Sequence, residues 1–342
     1  MKWSLTPASR FTEFAADWAH LVDAAGMPPA LAPPFVETLL DTFGHPRALL
    51  ARCEDGAGVA AMGIVVPAGR GWTTLQPAQA PLGLWLQRPG LDTAALLRGL
   101  LRALPGWPLV LALTELDPDL LPRPPDGGSV RSLDYIDTAR VTVSGSFDDY
   151  WQARGKNLRG NLKKGRARLA RDGIAPRLEI VRDPAAMAAA VADYARLESG
   201  GWKGGGGTAV TTDGMQARFY TAMMEAFARE GRARAYRYWY GERLAAMDLC
   251  IEDGRCLIVL KTAYDEAVAE GSSPALLMRE EATRALFDEG RIERIEFYGR
   301  VMEWHTRWTQ EVRRLYHVNY YRWPLLARLH AALRARTRTA GS

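Results

Sequence analysis

Two ionisable residues stand inside runs that otherwise read as buried strands. Asp248 lies within AMDLCI and Lys261 within LIVLKTAY, and a charge carried into an apolar interior is costly unless it is paired. The two runs are joined through the turn dipeptide Asp253-Gly254, which predicts neighbouring strands, so the two side chains could meet across the ladder. One reading is a satisfied buried ion pair. The other makes Asp248 a base, or an anchor for a substrate amine, and Lys261 a contact to a carbonyl or a phosphate. Tyr264 and Asp265 close the same strand.

Further candidates follow towards the C-terminus. Gly271, Ser272, Ser273, Pro274 and Ala275 open a helix in which Ser273 suits the cap and Pro274 the first helical position. Such a start is either ordinary capping or a set of N–H groups aimed at an anion. Tyr298 ends the run IEFYG; its phenol could protonate a leaving group or simply be a buried, hydrogen-bonded hydroxyl. Trp304 and His305 come next, and His305 reads either as a base with an ordinary pKa near neutrality or as a packing residue between Trp304 and Trp308. Glu280 and Glu281 read as solvent-facing or paired with Arg279 and Arg284. Cys53, Cys250 and Cys256 show no ligand spacing, so no metal is expected, and buried reduced thiols in a cytoplasmic protein are the reading they support.

Charge is unevenly placed. The net charge is only +5, yet residues 151–171 hold eight Lys or Arg and no Asp or Glu. Leu158, Leu162 and Leu169 fall near one helical stripe, leaving Lys156, Arg159, Lys163 and their basic neighbours on the remainder. The alternatives are a solvated face and a positive field for CoA, an anionic acceptor, tRNA phosphates or an anionic membrane surface. The basic tail with Arg328, Arg334, Arg336 and Arg338 would add to a peripheral membrane contact. Trp202 and Lys203 precede four glycines, a composition that suits a lid over the substrate.

These residues need elements to hold them. With 342 residues, 48% hydrophobic and 24% charged, the chain predicts two domains of ordinary composition. No stretch approaches the roughly 20 apolar residues of a spanning helix, and the N-terminus lacks the apolar core of a signal peptide. Periodicity predicts helices at 11–24, 34–43 and 92–104 with strands at 47–52, 58–66 and 108–113, then a Pro-, Asp- and Gly-rich connection at 117–129. Strands at 139–143 and 177–181 follow. A helix at 213–229 precedes three hairpin-linked strands at 233–240, 244–252 and 256–264. A helix at 274–287, strands at 292–298 and 312–320, and a basic amphipathic helix at 325–338 complete the order. The fold class expected is α/β with a mixed sheet (α+β character), because three antiparallel strands followed by one crossover helix require it.

WQARGKNLRGNLKKGRARLARDG at 151–173, AMDLCIEDG at 246–254, LKTAYDE at 260–266, SPALLMREE at 273–281 and IEFYGRVMEWHTRW at 295–308 together resemble the CelD-type acetyltransferases of the GNAT superfamily, which are related to the Fem-type aminoacyl transferases. The likeness covers residues 140–323. It implies two tandem GNAT-like acyltransferase domains: a degenerate one at 1–137, a catalytic one at 138–323 and a basic tail at 324–342. It also implies acetyl-CoA or another acyl-CoA as co-substrate, with the pyrophosphate cradled at 271–275, and Tyr298 where the sheet splays. A small-molecule, glycan or peptide amine is the implied acceptor, with Asp248 or His305 as its base and a place in polysaccharide or envelope biosynthesis. The Arg or Gln followed by spaced glycines that is usual at the cradle is absent; only Gly271 remains of it. A Fem-like transferase using aminoacyl-tRNA and a non-catalytic accessory protein on the same scaffold are the other readings the resemblance leaves open.

Overall fold

The computed structural model describes residues 1–200, 214–269 and 271–339. They form two compact units, Met1–Asp137 with Arg313–Ser342, and Thr138–Val312. In chain order the first stretch is β1 (Lys2–Pro7), α1 (Ala15–Ala24), α2 (Pro33–Phe43), β2 (Leu49–Asp55), β3 (Gly58–Ala68), β4 (Gly71–Thr74), β5 (Trp85–Gln87), α3 (Thr93–Ala103) and β6 (Val110–Leu116). The strand β7 (Val130–Thr142) crosses the division. Then come α4 (Phe147–Gln152), α5 (Lys156–Arg171), β8 (Pro176–Val181), α6 (Met187–Ser199), α7 (Met215–Arg229), β9 (Ala233–Tyr240), β10 (Arg243–Glu252) and β11 (Cys256–Tyr264). The chain continues through α8 (Glu266–Ala269), α9 (Pro274–Glu289), β12 (Arg294–Glu296), α10 (Glu303–Trp308), β13 (Val312–Tyr321) and α11 (Pro324–Thr339).

Each unit repeats one plan. In the first, β1, β2, β3 and β4 pair antiparallel in succession, and β6 returns parallel to β4 after α3. In the second, β8, β9, β10 and β11 do the same, and β12 returns parallel to β11 after α9. A parallel return needs a crossover, and a helix packed on the sheet is the usual one. The sixth strand is exchanged. β7 follows β6 in the chain, yet its later residues pair antiparallel with β12, Val141 opposite Ile295. The strand expected to close the second domain at 312–320 is instead β13, which pairs antiparallel with β6 in the first unit and buries Leu315, Tyr316 and Val318 there.

The core of the second unit lies between sheet and helices, where Leu158, Leu162 and Leu169 of α5 pack with Tyr236, Tyr238 and Leu277. Arg234, fully buried on β9, is held by Glu252 at 2.5 Å and by both carboxylate oxygens of Glu289 at 2.8 Å, so the charge is paid for by geometry. In the first unit Leu96, Leu97 and Leu100 of α3 cover Ala51, Ala61 and Val65. Past the last β4–β6 pair, Gly83 N–H donates to Glu115 and Ile64 N–H donates to Leu84. A Cβ at residue 83 would lie 2.0 Å from the Thr114 carbonyl oxygen, which is why glycine stands there. The chain itself therefore fills the space beyond that pair.

Candidate active site

In the second unit the equivalent gap stays open. β11 and β12 pair only from Cys256 opposite Arg294 to Ile258 opposite Glu296, after which β11 runs on to Tyr264 while the other chain turns away. The resulting cleft, of about 680 Å³, is walled by Lys261, Thr262 and Tyr264 of β11 and by Ser273, Pro274, Ala275 and Arg279 of α9, with Phe297, Met302, Trp304 and His305 opposite. Seven residues singled out in the sequence thus meet: Lys261, Tyr264, Ser273, Pro274, Ala275, Trp304 and His305.

Its central group was missed. Arg279, only 5% exposed, donates from Nη2 to both oxygens of Asp248 at 2.8 and 3.1 Å and lies 3.0 Å from Thr262 Oγ1. The guanidinium carbon stands 4.9 Å from the Trp304 ring centroid and 5.2 Å from that of Phe297, two rings that meet edge to face beside it and attract its charge. Nε and Nη1 have no hydrogen-bond acceptor among the described residues, so this cleft-lining guanidinium keeps donors to spare. The sequence did carry a signal: Arg279 follows LLM on the face of α9 that α-helical spacing from Leu276 turns towards the sheet. Its neighbours Glu280 and Glu281 do not pair on their own helix, and only Glu281 is partly exposed. Glu280 is buried and accepts from Arg166 at 2.5 Å, and Glu281 accepts from the Tyr238 hydroxyl at 2.6 Å.

The expected meeting of Asp248 with Lys261 does not occur, because register decides it. Asp248 stands opposite Thr262, and Lys261 stands opposite Leu249 on the other face. Asp248 accepts from Thr262 Oγ1 at 2.6 Å as well as from Arg279. Burial pushes its carboxyl pKa up while Arg279 and Thr262 pull it down. With its oxygens committed in this way, Asp248 orients Arg279 and is not placed to take a proton from substrate. Lys261, half-buried, has Nζ 5.4 Å from the Tyr220 ring centroid. Behind it Glu198, buried on α6, accepts from the Tyr194 hydroxyl at 2.8 Å; it too went unnoticed in the sequence.

His305 is not arranged as a base either. Its Nδ1 accepts the Met302 N–H at 2.9 Å, and burial, followed by the nearby Arg279 charge, lowers its pKa to about 4. The ring is therefore neutral near pH 7 and carries its hydrogen on Nε2, a donor. It stacks on Trp304 with centroids 3.6 Å apart. Tyr298 does not reach the cleft, because strand alternation gives that place to Phe297 and leaves Tyr298 buried on the other side. Tyr264 is exposed at the rim.

At the mouth, Ser273 begins α9 in a left-handed conformation, φ 50°, and its side chain makes no capping bond, with Pro274 in the first turn. The helix end is thus uncapped towards the cleft. Gly271, φ 78°, lies under the Arg168 guanidinium, and Ser272 is buried with its hydroxyl on the Val268 carbonyl at 2.7 Å. A Cβ at Gly165 would stand 3.1 Å from the Ser272 oxygen; that close approach seats α5 against the loop. Part of the basic helix is spent on structure, since Arg159 bonds the Arg154 carbonyl and Gln152, and Arg166 bonds Glu280. Lys156, Lys163 and Lys164 are exposed with no ion-pair partner among the described residues. Trp202 and Lys203 lie outside the described residues. The described residues hold no group of His, Cys, Asp and Glu suited to a metal.

A meander, a crossover helix and a parallel strand that parts from its neighbour over an uncapped helix start define a GNAT-like mixed α/β fold. Residues 156–306 match the family model of an acetyltransferase (GNAT) domain. Among solved structures, FemX is similar with a TM-score of 0.59 at 10% identity, over 96% of this chain and 99% of that one. The C-terminal DUF2156 domain of a protein described as a lysylphosphatidylglycerol synthetase from Agrobacterium fabrum is similar with a TM-score of 0.56 at 12% identity, over 90% and 91%. A conserved protein of unknown function from Bacteroides thetaiotaomicron gives 0.57 at 10% identity, over 90% and 97%. At these identities the likeness is one of fold. No curated protein matches the chain by sequence.

Proposed function

We propose that this chain is an N-acyltransferase of the CelD kind, working in the cytoplasm, whose second unit moves an acyl group from acyl-CoA to an amine of a small-molecule, glycan or peptide acceptor. The observation that carries this reading is Arg279, a buried guanidinium locked by Asp248 and Thr262 with spare donors on a cleft that ends at an uncapped helix start. The backbone at Ser273 and Ala275 suits the donor's phosphates, and Lys261 lines the cleft from β11. Arg279 and the Nε2 hydrogen of His305 suit the carbonyl oxygen, whose charge grows in the transition state. The acceptor nitrogen bonds to the acyl carbon, the carbon–sulfur bond breaks, and the proton lost by nitrogen leaves with the sulfur. No side chain need act as base if the amine arrives neutral. The first unit, whose equivalent gap is filled by its own chain, would be the degenerate partner.

A second reading is favoured by one observation. The exposed Lys156, Lys163 and Lys164 belong to the helix seated on the cradle through Gly165, and such a face suits the backbone of an aminoacyl-tRNA better than one pyrophosphate. Thermal unfolding with acetyl-CoA, longer acyl-CoAs, free CoA and charged tRNA separates the two, with Lys261→Ala alongside. A saturable rise in melting temperature with acyl-CoA, weakened in Lys261→Ala, is the expected result. Salt-sensitive tRNA binding without a CoA effect would move the assignment to the second reading. A chain stabilised by neither would be an accessory scaffold, and the acyltransferase reading would fall.

A further inference from the structure

The first unit carries a surface that acyl transfer does not use. Trp107 is 69% exposed and Trp323 47%, and their rings meet edge to face with centroids 6.0 Å apart. Exposed indoles are uncommon on a surface that meets only water. Trp107 also holds φ 49° directly after Gly106 at φ 78°, a left-handed backbone that is costly for a bulky residue. That strained tip is tied in place: Arg322 lies over the Trp107 ring at 5.1 Å and donates from Nε to the Pro108 carbonyl at 2.7 Å. Beside it α11 turns Ala327 inwards and leaves Leu325 63% and Leu329 52% exposed, one turn apart on one stripe with Arg328 between them.

Charge completes the pattern. Trp107 forms one wall of an open cleft of about 840 Å³ that also includes Trp72, Arg47 and Arg70, and no acidic residue lines it. Both arginines are exposed and have no ion-pair partner among the described residues. From Tyr321 to the end of the sequence there are five arginines and no Asp or Glu. Indoles at a water–apolar boundary, leucines on one helical stripe and arginines without acids are the chemistry of an anionic interface.

We propose that this face docks on an anionic phospholipid bilayer surface. Trp107, Trp323, Leu325 and Leu329 enter the headgroup layer, while Arg47, Arg70 and Arg328 meet lipid phosphates. The docking is independent of the acyl-donor cleft, so either can fail without the other.

The test is co-sedimentation of the full chain with vesicles of phosphatidylcholine alone or mixed with phosphatidylglycerol. Binding only to the phosphatidylglycerol vesicles, relieved by salt, is expected. Trp107→Ser with Trp323→Ser should weaken it by at least about tenfold, and Arg47→Gln or Arg70→Gln by about fivefold each. Should the tryptophan variant melt early, Leu325→Ser with Leu329→Ser, on the exposed stripe, makes the same measurement. No binding to phosphatidylglycerol vesicles, equal binding to phosphatidylcholine, or binding untouched by these changes would overturn the proposal. So would a dimer in sedimentation velocity that the same substitutions dissolve, since the patch would then meet a second copy of this chain.

Discussion

Arg279 shows what a buried charge demands. Removing it alone strands Asp248 in an apolar site, and Arg279→Gln should cost about 3–5 kcal/mol in urea unfolding. The double variant Asp248→Asn with Arg279→Gln should recover most of that loss, since two neutral groups can share hydrogen bonds. Acyl transfer should stay down by about a hundredfold in both variants if the guanidinium is the carbonyl donor; activity that returned with stability would reduce Arg279 to a structural role. His305 makes a separate prediction. Its folded pKa of about 4 lies below the ordinary value of 6.5, so the unfolded chain binds more protons between those values. The stabilisation is present in full above pH 6.5 and is lost as pH falls towards 4, on the order of 3 kcal/mol in all. His305→Gln should flatten stability against pH in that window, as measured by denaturant midpoints at several pH values.

At the scale of elements, the start of α9 was legible and its conformation was not. Ser-Pro at a helix opening predicts capping, yet Ser273 is left-handed and does not cap. Ser273→Gly should therefore stabilise the chain by about 0.5–1 kcal/mol, seen as a higher urea midpoint; a lower midpoint would mean the serine side chain holds the loop. The amphipathic stripe of α5 was equally plain from Leu158, Leu162 and Leu169. That Gly165 is the point of contact with the cradle depends on a partner more than a hundred residues away, which no local pattern encodes. Gly165→Val should accordingly weaken donor binding more than it lowers the melting temperature.

At the scale of the whole molecule, the exchange of β7 and β13 makes each unit depend on a strand from the other stretch of chain. β13 buries Tyr316, whose hydroxyl reaches the Leu121 carbonyl at 2.7 Å, and Arg313 pairs with the buried Asp117 at 2.6 Å. A chain truncated after Glu311 should lose protection of the first unit in hydrogen exchange, although residues 1–137 remain intact in sequence. If that unit stayed protected, β13 would be an edge addition and not part of its core.

The sequence by itself determined the meander β9–β11, the helices α7 and α9 that flank it and their order, because period, turn dipeptides and helix starts are local and each is set by neighbours within a few residues. It also marked Asp248 and Lys261 as out of place, because burial of charge is legible wherever an apolar run is interrupted. Only the tertiary structure decided their partners. Register set Thr262 and not Lys261 opposite Asp248, the packing of α9 on the sheet brought Arg279 to it, and Phe297 took the place in the cleft with Tyr298 buried outside it. The same holds for the exchanged strand: local pattern marks 312–320 as a strand, but that it pairs with β6 while β7 pairs with β12 is set by which sheet edge each meets.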